Sequence, residues 1–172
     1  MFKNSVFPAT KSRRTPVVSP GSQAPADNTG KSNGQVFGFG PMTRITTAFG
    51  QVHAQTLRER DRVRTMNGEF LVVKSVDRMT LDADFLKYHP GAQPILIRAG
   101  AFARGIPAAD IILAPFQSIC PKQPFITQGA NKAIDSIHRP HVYRKSENMI
   151  TYTTFQLEKP AAVCCEGLWV NA

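Results

Sequence analysis

The alternation of apolar and polar positions changes character near residue 35. Over residues 1–34 the apolar side chains follow neither the 3.6-residue spacing of an amphipathic helix nor the alternation of a half-buried strand, and Pro8, Pro16, Pro20 and Pro25 interrupt every run. From Gln35 onward, short β-type runs recur between turn residues. Residues 44–48 (RITTA) predict a strand ended by a turn at Phe49-Gly50. Residues 63–66 and 69–76 predict two strands joined by Asn67-Gly68, the dipeptide best suited to a type I′ turn with positive φ at both central positions. Residues 94–98 (PILIR), 111–113 and 125–127 read as three more short strands. Residues 149–157 alternate, 158–160 turn, and 161–165 return as a second hairpin. Helix is sparse: residues 83–87 and 131–137 can each make a turn or two before Pro90 and Pro140 stop them. The pattern is all-β, built from many short strands and hairpins.

A chain of 172 residues, 42% of them hydrophobic, can bury one core but hardly two. The division is a disordered, basic, Pro/Ser/Gly-rich tail over residues 1–34 and one domain over 35–172. The tail carries five basic residues and Asp27, so it holds +4 of the chain's net +9, and it has too little apolar surface to offset its ordering entropy. Lys11, Arg13 and Arg14 could meet phosphate. No aromatic interleaving or recognition motif accompanies them, so a solvated leader is the favoured reading and nucleic acid is not the expected partner. Arg58, Arg60, Arg62 and Arg64 would share one face of an extended strand; Glu59 and Asp61 opposite them favour a solvated edge. No run of 18 apolar residues occurs, and the first residues lack the apolar stretch of a signal peptide. The expectation is therefore no membrane span and a cytoplasmic location by default, with signal-independent export left open. A protein partner is also left open, and the oligomeric state is not legible.

Cys120, Cys164 and Cys165 are odd in number, and two are adjacent, which suits reduced thiols better than a disulfide framework. Neighbouring strand positions face opposite sides, so at most one of Cys164 and Cys165 can share a site with Cys120. His138 and His141 flank Arg139-Pro140, which breaks any helical ligand face. No metal set and no cofactor motif emerges.

Four segments, in order, resemble the Hint domain, the hedgehog/intein self-processing module, in its bacterial stand-alone form. Residues 38–47 (GFGPMTRITT) are similar to that family's opening Cys-Phe-x-x-Gly-Thr-x-Ile-x-Thr. Residues 54–68 (AQTLRERDRVRTMNG) are similar to its Val-Glu-Asp-Leu-x-x-Gly-Asp-x-Val-x-Thr-x-Asp-Gly. His89-Pro90, residues 94–101 (PILIRAGA) and residues 107–117 (PAADIILAPFQ) follow its His-Pro, its Pro-Val-x-Ile-x-Ala-Gly-Ala and its Leu-Pro-x-x-Asp-Leu-x-Leu-Ser-Pro-x-His. Residues 157–168 (LEKPAAVCCEGL) are similar to its Leu-Asp-x-His-x-x-x-x-Ala-Glu-Gly-Leu. The resemblance implies an all-β Hint fold with pseudo-two-fold symmetry, whose hairpins bring chain start and chain end around one site.

It also implies a chemistry that can be checked by position. Hint domains begin with an acyl shift in which a Cys or Ser at the first position attacks the preceding carbonyl, while a histidine protonates the leaving nitrogen. The first position is Gly38, which has no side chain, and residues 35–42 hold no Cys, Ser or Thr. The histidine of Ser-Pro-x-His becomes Gln117, which cannot act as a general acid at neutral pH. The late Asp becomes Glu158 and the late His becomes Pro160; Thr43 matches the family's ordinary threonine, a strand or turn hydrogen-bond partner. The expectation is a degenerate site at Gly38, Thr43, Gln117, Glu158 and Pro160, in a protein that acts as a structural or interaction module. The alternative is a peptidase that cleaves itself or another chain, using Cys120 or one of the late cysteines, Cys164 and Cys165, as a non-standard nucleophile. Val170-Asn171-Ala172 invites comparison with an intein's terminal His-Asn, but the flanking residues are Val and Ala, so cyclisation of Asn171 would join nothing.

Overall fold

The computed structural model describes residues 35–126 and 132–172; the expected tail lies outside these. Among the described residues ten strands form, β1 (Arg44–Thr47), β2 (Gly50–His53), β3 (Arg62–Arg64), β4 (Phe70–Leu81), β5 (Ile95–Ile97), β6 (Ile111–Leu113), β7 (Val142–Arg144), β8 (Ile150–Leu157), β9 (Ala162–Cys165) and β10 (Leu168–Asn171). The one α-helix among the described residues, α1 (Ala83–Tyr88), follows β4 and is capped by Asp82, whose carboxylate accepts from the Phe85 N–H at 2.8 Å.

The larger sheet has the order β10-β9-β1-β3-β4-β8, with β2 added on β1; β6-β5-β7 make a second sheet. β4 and β8 pair in antiparallel fashion from Val73 and Leu157 to Leu81 and Ile150, with an irregularity between Val73 and Ser75. Alternation along these strands sends Ile45, Val63, Val73, Ile97, Leu113 and Leu168 into one shared core. The two sheets are sewn together by the segment that opens the domain. Phe39 bridges both Leu113 of β6 and Thr153 of β8, exchanging N–H and C=O with Thr153 at 2.8 and 2.9 Å.

Several local expectations need correction. The hairpin at Asn67-Gly68 forms, but only Gly68 has positive φ, at 87°. The Gly68 N–H donates to the Thr65 carbonyl at 2.9 Å and the Thr65 N–H to the Glu69 carbonyl at 2.8 Å, a three-residue loop closed by a glycine bulge rather than a two-residue type I′ turn. The turn with positive φ at both positions is Glu166-Gly167, at 51° and 87°, joining β9 to β10. A left-handed glutamate is an unfavourable choice; here its carboxylate, only 3% exposed, is held in an ion pair with the Arg44 guanidinium. The expected hairpin across residues 158–160 does not form, because β8 pairs with β4 whereas β9 pairs with β1 and β10. Phe125 and Ile126 lie in a turn, not a strand, and Thr127 falls outside the described residues. Residues 133–136 form a 3-10 turn. Arg58 and Arg60 do not extend β3: Arg60 is left-handed at φ 71°, so only Arg62 and Arg64 share a strand face.

Gly68 sits in open space, so a side chain there meets no atoms and its cost is purely conformational. Gly68→Val is expected to lower stability by about 1–2 kcal/mol. An unchanged denaturation midpoint would show that the loop does not need its left-handed residue.

Candidate functional site

The domain's opening residues and its last strand meet at one side chain. Gln117 is placed by a turn in which its N–H donates to the Ala114 carbonyl, at 3.0 Å, while its own carbonyl accepts from the Ala133 N–H at the same distance. Its side chain is buried. Oε1 accepts from the Gly38 N–H at 2.8 Å, and Nε2 donates to the Asn171 carbonyl at 2.6 Å. The Asn171 side chain donates onward to Ser118 Oγ at 2.9 Å. One primary amide therefore ties Gly38 to the end of β10, and its donor and acceptor are both engaged.

Gly38 is itself enclosed. Its φ is +126°, and a Cβ built on it would stand 3.0 Å from the Thr153 carbonyl oxygen and 3.0 Å from Tyr152 Cβ. Its carbonyl accepts from the Ala114 N–H at 2.9 Å. A cleft of about 270 Å³ opens beside it, lined on the protein side by Phe37, Phe39, Ser75, Asp77, Gln117 and Thr154 among others. Ser75 and Asp77, two residues apart on β4, bring a hydroxyl and a carboxylate to it; no sequence motif singled them out.

The other expected positions lie elsewhere. Thr43 Oγ1 donates to the Ile112 carbonyl at 2.7 Å and accepts from the Ile112 N–H at 3.0 Å, which pins the approach to β1 against β6. Glu158 is exposed and accepts from the Val72 N–H at 3.3 Å. Pro160 and Cys120 line a different, larger cavity of about 550 Å³, shared with Asn67, Lys122, Lys159 and the Asn171-Ala172 bond. Neither Glu158, Pro160 nor Cys120 lines the cleft at Gly38. Cys120 is buried with Sγ 3.6 Å from Met66 Sδ. No group of three or more His, Cys, Asp or Glu side chains among the described residues is arranged to hold a metal ion, and no helix among them is long and apolar enough to cross a membrane.

The sequence model of the Hint domain matches residues 37–172, from the residue before Gly38 to the last residue of the chain. The chain belongs to the Hint domain family. No curated protein matches it. Among solved structures, the MchDnaB-1 intein is similar to this Hint domain at a TM-score of 0.50 and 9% identity, over 78% of this chain and 99% of the intein. Its N145AA variant gives the same TM-score and identity, over 98% of that chain. These likenesses establish the all-β Hint fold expected from the sequence. Gly38 and Gln117, the residues expected from the sequence at the family's first position and its Ser-Pro-x-His position, lie side by side, joined by the hydrogen bond between the Gly38 N–H and the Gln117 side chain.

Two other buried groups of the Hint domain have shifted titrations. Burial pushes the Cys165 thiol well above its ordinary 9.0, with Cys164 and Glu166 adding to the effect. Burial likewise raises the Tyr152 phenol above 10.0; its hydroxyl donates to the Ala92 carbonyl at 3.2 Å. Both groups stay protonated in the folded domain at pH values where the unfolded chain ionises. Folding free energy is therefore undiminished below about pH 9 and falls as the pH rises past it, because only the unfolded state gains by losing protons. Denaturant midpoints measured from pH 8 to 10 should decline; a flat profile would contradict the assignment.

Proposed function

We propose that this Hint domain does not carry out the opening acyl shift of its family and serves as a structural or interaction module, with the basic segment before residue 35 as an appendage. The observation that carries the reading is the enclosure of Gly38. The position offers no sulfur or oxygen to receive an acyl group, and a Cβ there would stand only 3.0 Å from Thr153 and Tyr152, at a backbone φ that disfavours any side chain. Gln117 supports the same reading: it holds the Gly38 amide as a hydrogen-bond acceptor and has no acidic proton to give to a departing nitrogen. Uncatalysed amide cleavage at such a site faces the full barrier of the solution reaction.

The test is the intact mass of the full chain after expression, with and without thiol or hydroxylamine, which capture thioesters and esters. A single unchanged mass is expected. Cleavage between Phe37 and Gly38, or release of the residue after Asn171, would overturn the proposal. The competing reading is a self-cleaving module that uses Cys120, favoured by one observation: Cys120 shares its cavity with the Asn171-Ala172 peptide bond. That reading requires a thiol-dependent mass loss abolished by Cys120→Ala.

A further inference from the structure

The large sheet has an outward face that none of this chemistry uses. β3, β4, β9 and β10 send Val63, Leu71, Val163, Cys165, Leu168 and Val170 inward, so the alternate residues point away from the core. Register aligns them. Trp169 is opposite Cys164 and Arg64 opposite Phe70, while the antiparallel bridge of Thr65 to Val163 brings Arg64 alongside Cys164. Trp169, Cys164, Arg64 and Phe70 therefore follow one another across β10, β9, β3 and β4, with β3 meeting β9 at the isolated bridge beyond the end of β1 and Cys164 buried in the middle of the series. Arg62 lies in the next row, opposite Val72. Trp169 is half-buried, Phe70 is 37% exposed and both arginines are exposed. Neither arginine is in an ion pair among the described residues. The next residues on this face of each strand, Met66, Ala162 and Asn171, line the 550 Å³ cavity, to which Lys122 and Lys159 contribute two more cations. The adjacent Glu69 carboxylate is held 2.7 Å from Lys159, which lowers its pKa.

We propose that this face, with Trp169, Phe70, Arg62 and Arg64 as its contacts and the Lys122–Lys159 cavity at its end, binds single-stranded nucleic acid without sequence preference. The occupant follows from two complementarities that must be met together. The chain is strongly basic, at net +9, and the face is positive, so its ligand is a polyanion. The cations are interleaved with flat rings on a sheet, the arrangement on which unpaired bases stack while arginines track the phosphates; sheets that present two aromatic residues in this way stack two or three bases. A duplex keeps its base faces covered. A bilayer surface takes up rings that protrude into it, whereas the Trp169 indole is half-buried and offers a face rather than an anchor. The interleaving absent from the tail is made here by residues far apart in the chain, and the inference is independent of whether the Gly38 site is active.

Trp169 is the only tryptophan, so its emission reports on this face alone. The experiment titrates the full chain with a fluorescein-labelled oligo-dT strand, following anisotropy and tryptophan quenching, at salt concentrations between about 50 and 200 mM. Binding with quenching is expected, weakening steeply with salt. The Arg62→Ala/Arg64→Ala pair should flatten the slope of log affinity against log salt by about 1.4. Phe70→Ala should weaken binding roughly tenfold. Replacing Lys11, Arg13 and Arg14 with alanine should leave the quenching intact. The proposal fails if no binding occurs, if binding leaves Trp169 emission unchanged, if the arginine pair or Phe70 proves irrelevant, or if the tail variant abolishes quenching. It also fails if inorganic polyphosphate or phosphatidylserine vesicles change Trp169 emission as strongly as the oligonucleotide.

Discussion

Gly38→Cys should destabilise the domain by about 2–4 kcal/mol and still give no thiol-dependent cleavage. Two costs add. A non-glycine residue held at φ +126° is strained by about 1–3 kcal/mol, and a Cβ 3.0 Å from both the Thr153 carbonyl oxygen and Tyr152 Cβ makes β8 give slightly, an overpacking term of about 1 kcal/mol. Restoring the nucleophile therefore disturbs the strand against which it would have to be positioned. Adding Gln117→His and Pro160→His does not complete a site, since Pro160 lines the other cavity and its replacement would not face Gly38. Thermal or denaturant unfolding gives the stability, and intact mass in the presence of thiol gives the chemistry. A stable, cleaving Gly38→Cys variant would show that the enclosure of this position is not what stops the reaction.

Gln117→Met should cost about 2–6 kcal/mol for a different reason. The substitution keeps the volume but strands the Gly38 N–H and the Asn171 carbonyl, each left without its partner at about 1–3 kcal/mol. Gln117→Glu separates the two bonds. A carboxylate still accepts from Gly38 but confronts the Asn171 carbonyl with a second acceptor, whereas a protonated carboxyl can donate to it. The folded state then favours the protonated form, so the pKa of the introduced carboxyl is raised on folding. The stabilisation it regains is complete below the ordinary carboxyl value of about 4.3 and lost as the pH rises through the raised one. Relative to the parent, this variant should be weakest at neutral pH and recover on acidification. Equal stability of Gln117→Met and the parent would mean that water replaces both bonds.

How far the sequence discloses this architecture depends on the range of the interactions involved. β1, β6, β8 and α1 are legible because alternation and caps are local. The return of residues 161–165 reads toward the wrong neighbour because strand pairing is not local: β9 joins β1, over a hundred positions earlier, and an intervening turn looks the same either way. The type I′ geometry at Glu166-Gly167 is hidden because its signal lies in a distant arginine rather than in an Asn-Gly pair. The site divides similarly. Gly38 and Gln117 stand out through family resemblance, as residue types at fixed positions. The Asn171 carbonyl is backbone, and backbone has no sequence signature. Ser75 and Asp77 are ordinary residues of an alternating strand until the irregularity in β4 and the approach of Phe39 make them the wall of a cleft.

The joining of the first residues to the last also determines when the chain can fold. Ile45 finds its partner in Cys165, Phe39 in Thr153, and Gln117 its carbonyl in Asn171. The long β4–β8 ladder is likewise between strands distant in sequence; for such pairings loop closure must precede reward, and topologies that depend on them fold slowly. During synthesis from the N-terminus, β1 to β4 are complete while the larger sheet still lacks β8, β9 and β10, leaving the edge of β4 open and the core that β9 and β10 help to build unfinished. The nascent domain therefore passes through a long interval with open strand edges and uncovered apolar residues, the condition in which chains are most prone to aggregate. Its vulnerability to misassembly ends only with the arrival of its final strand.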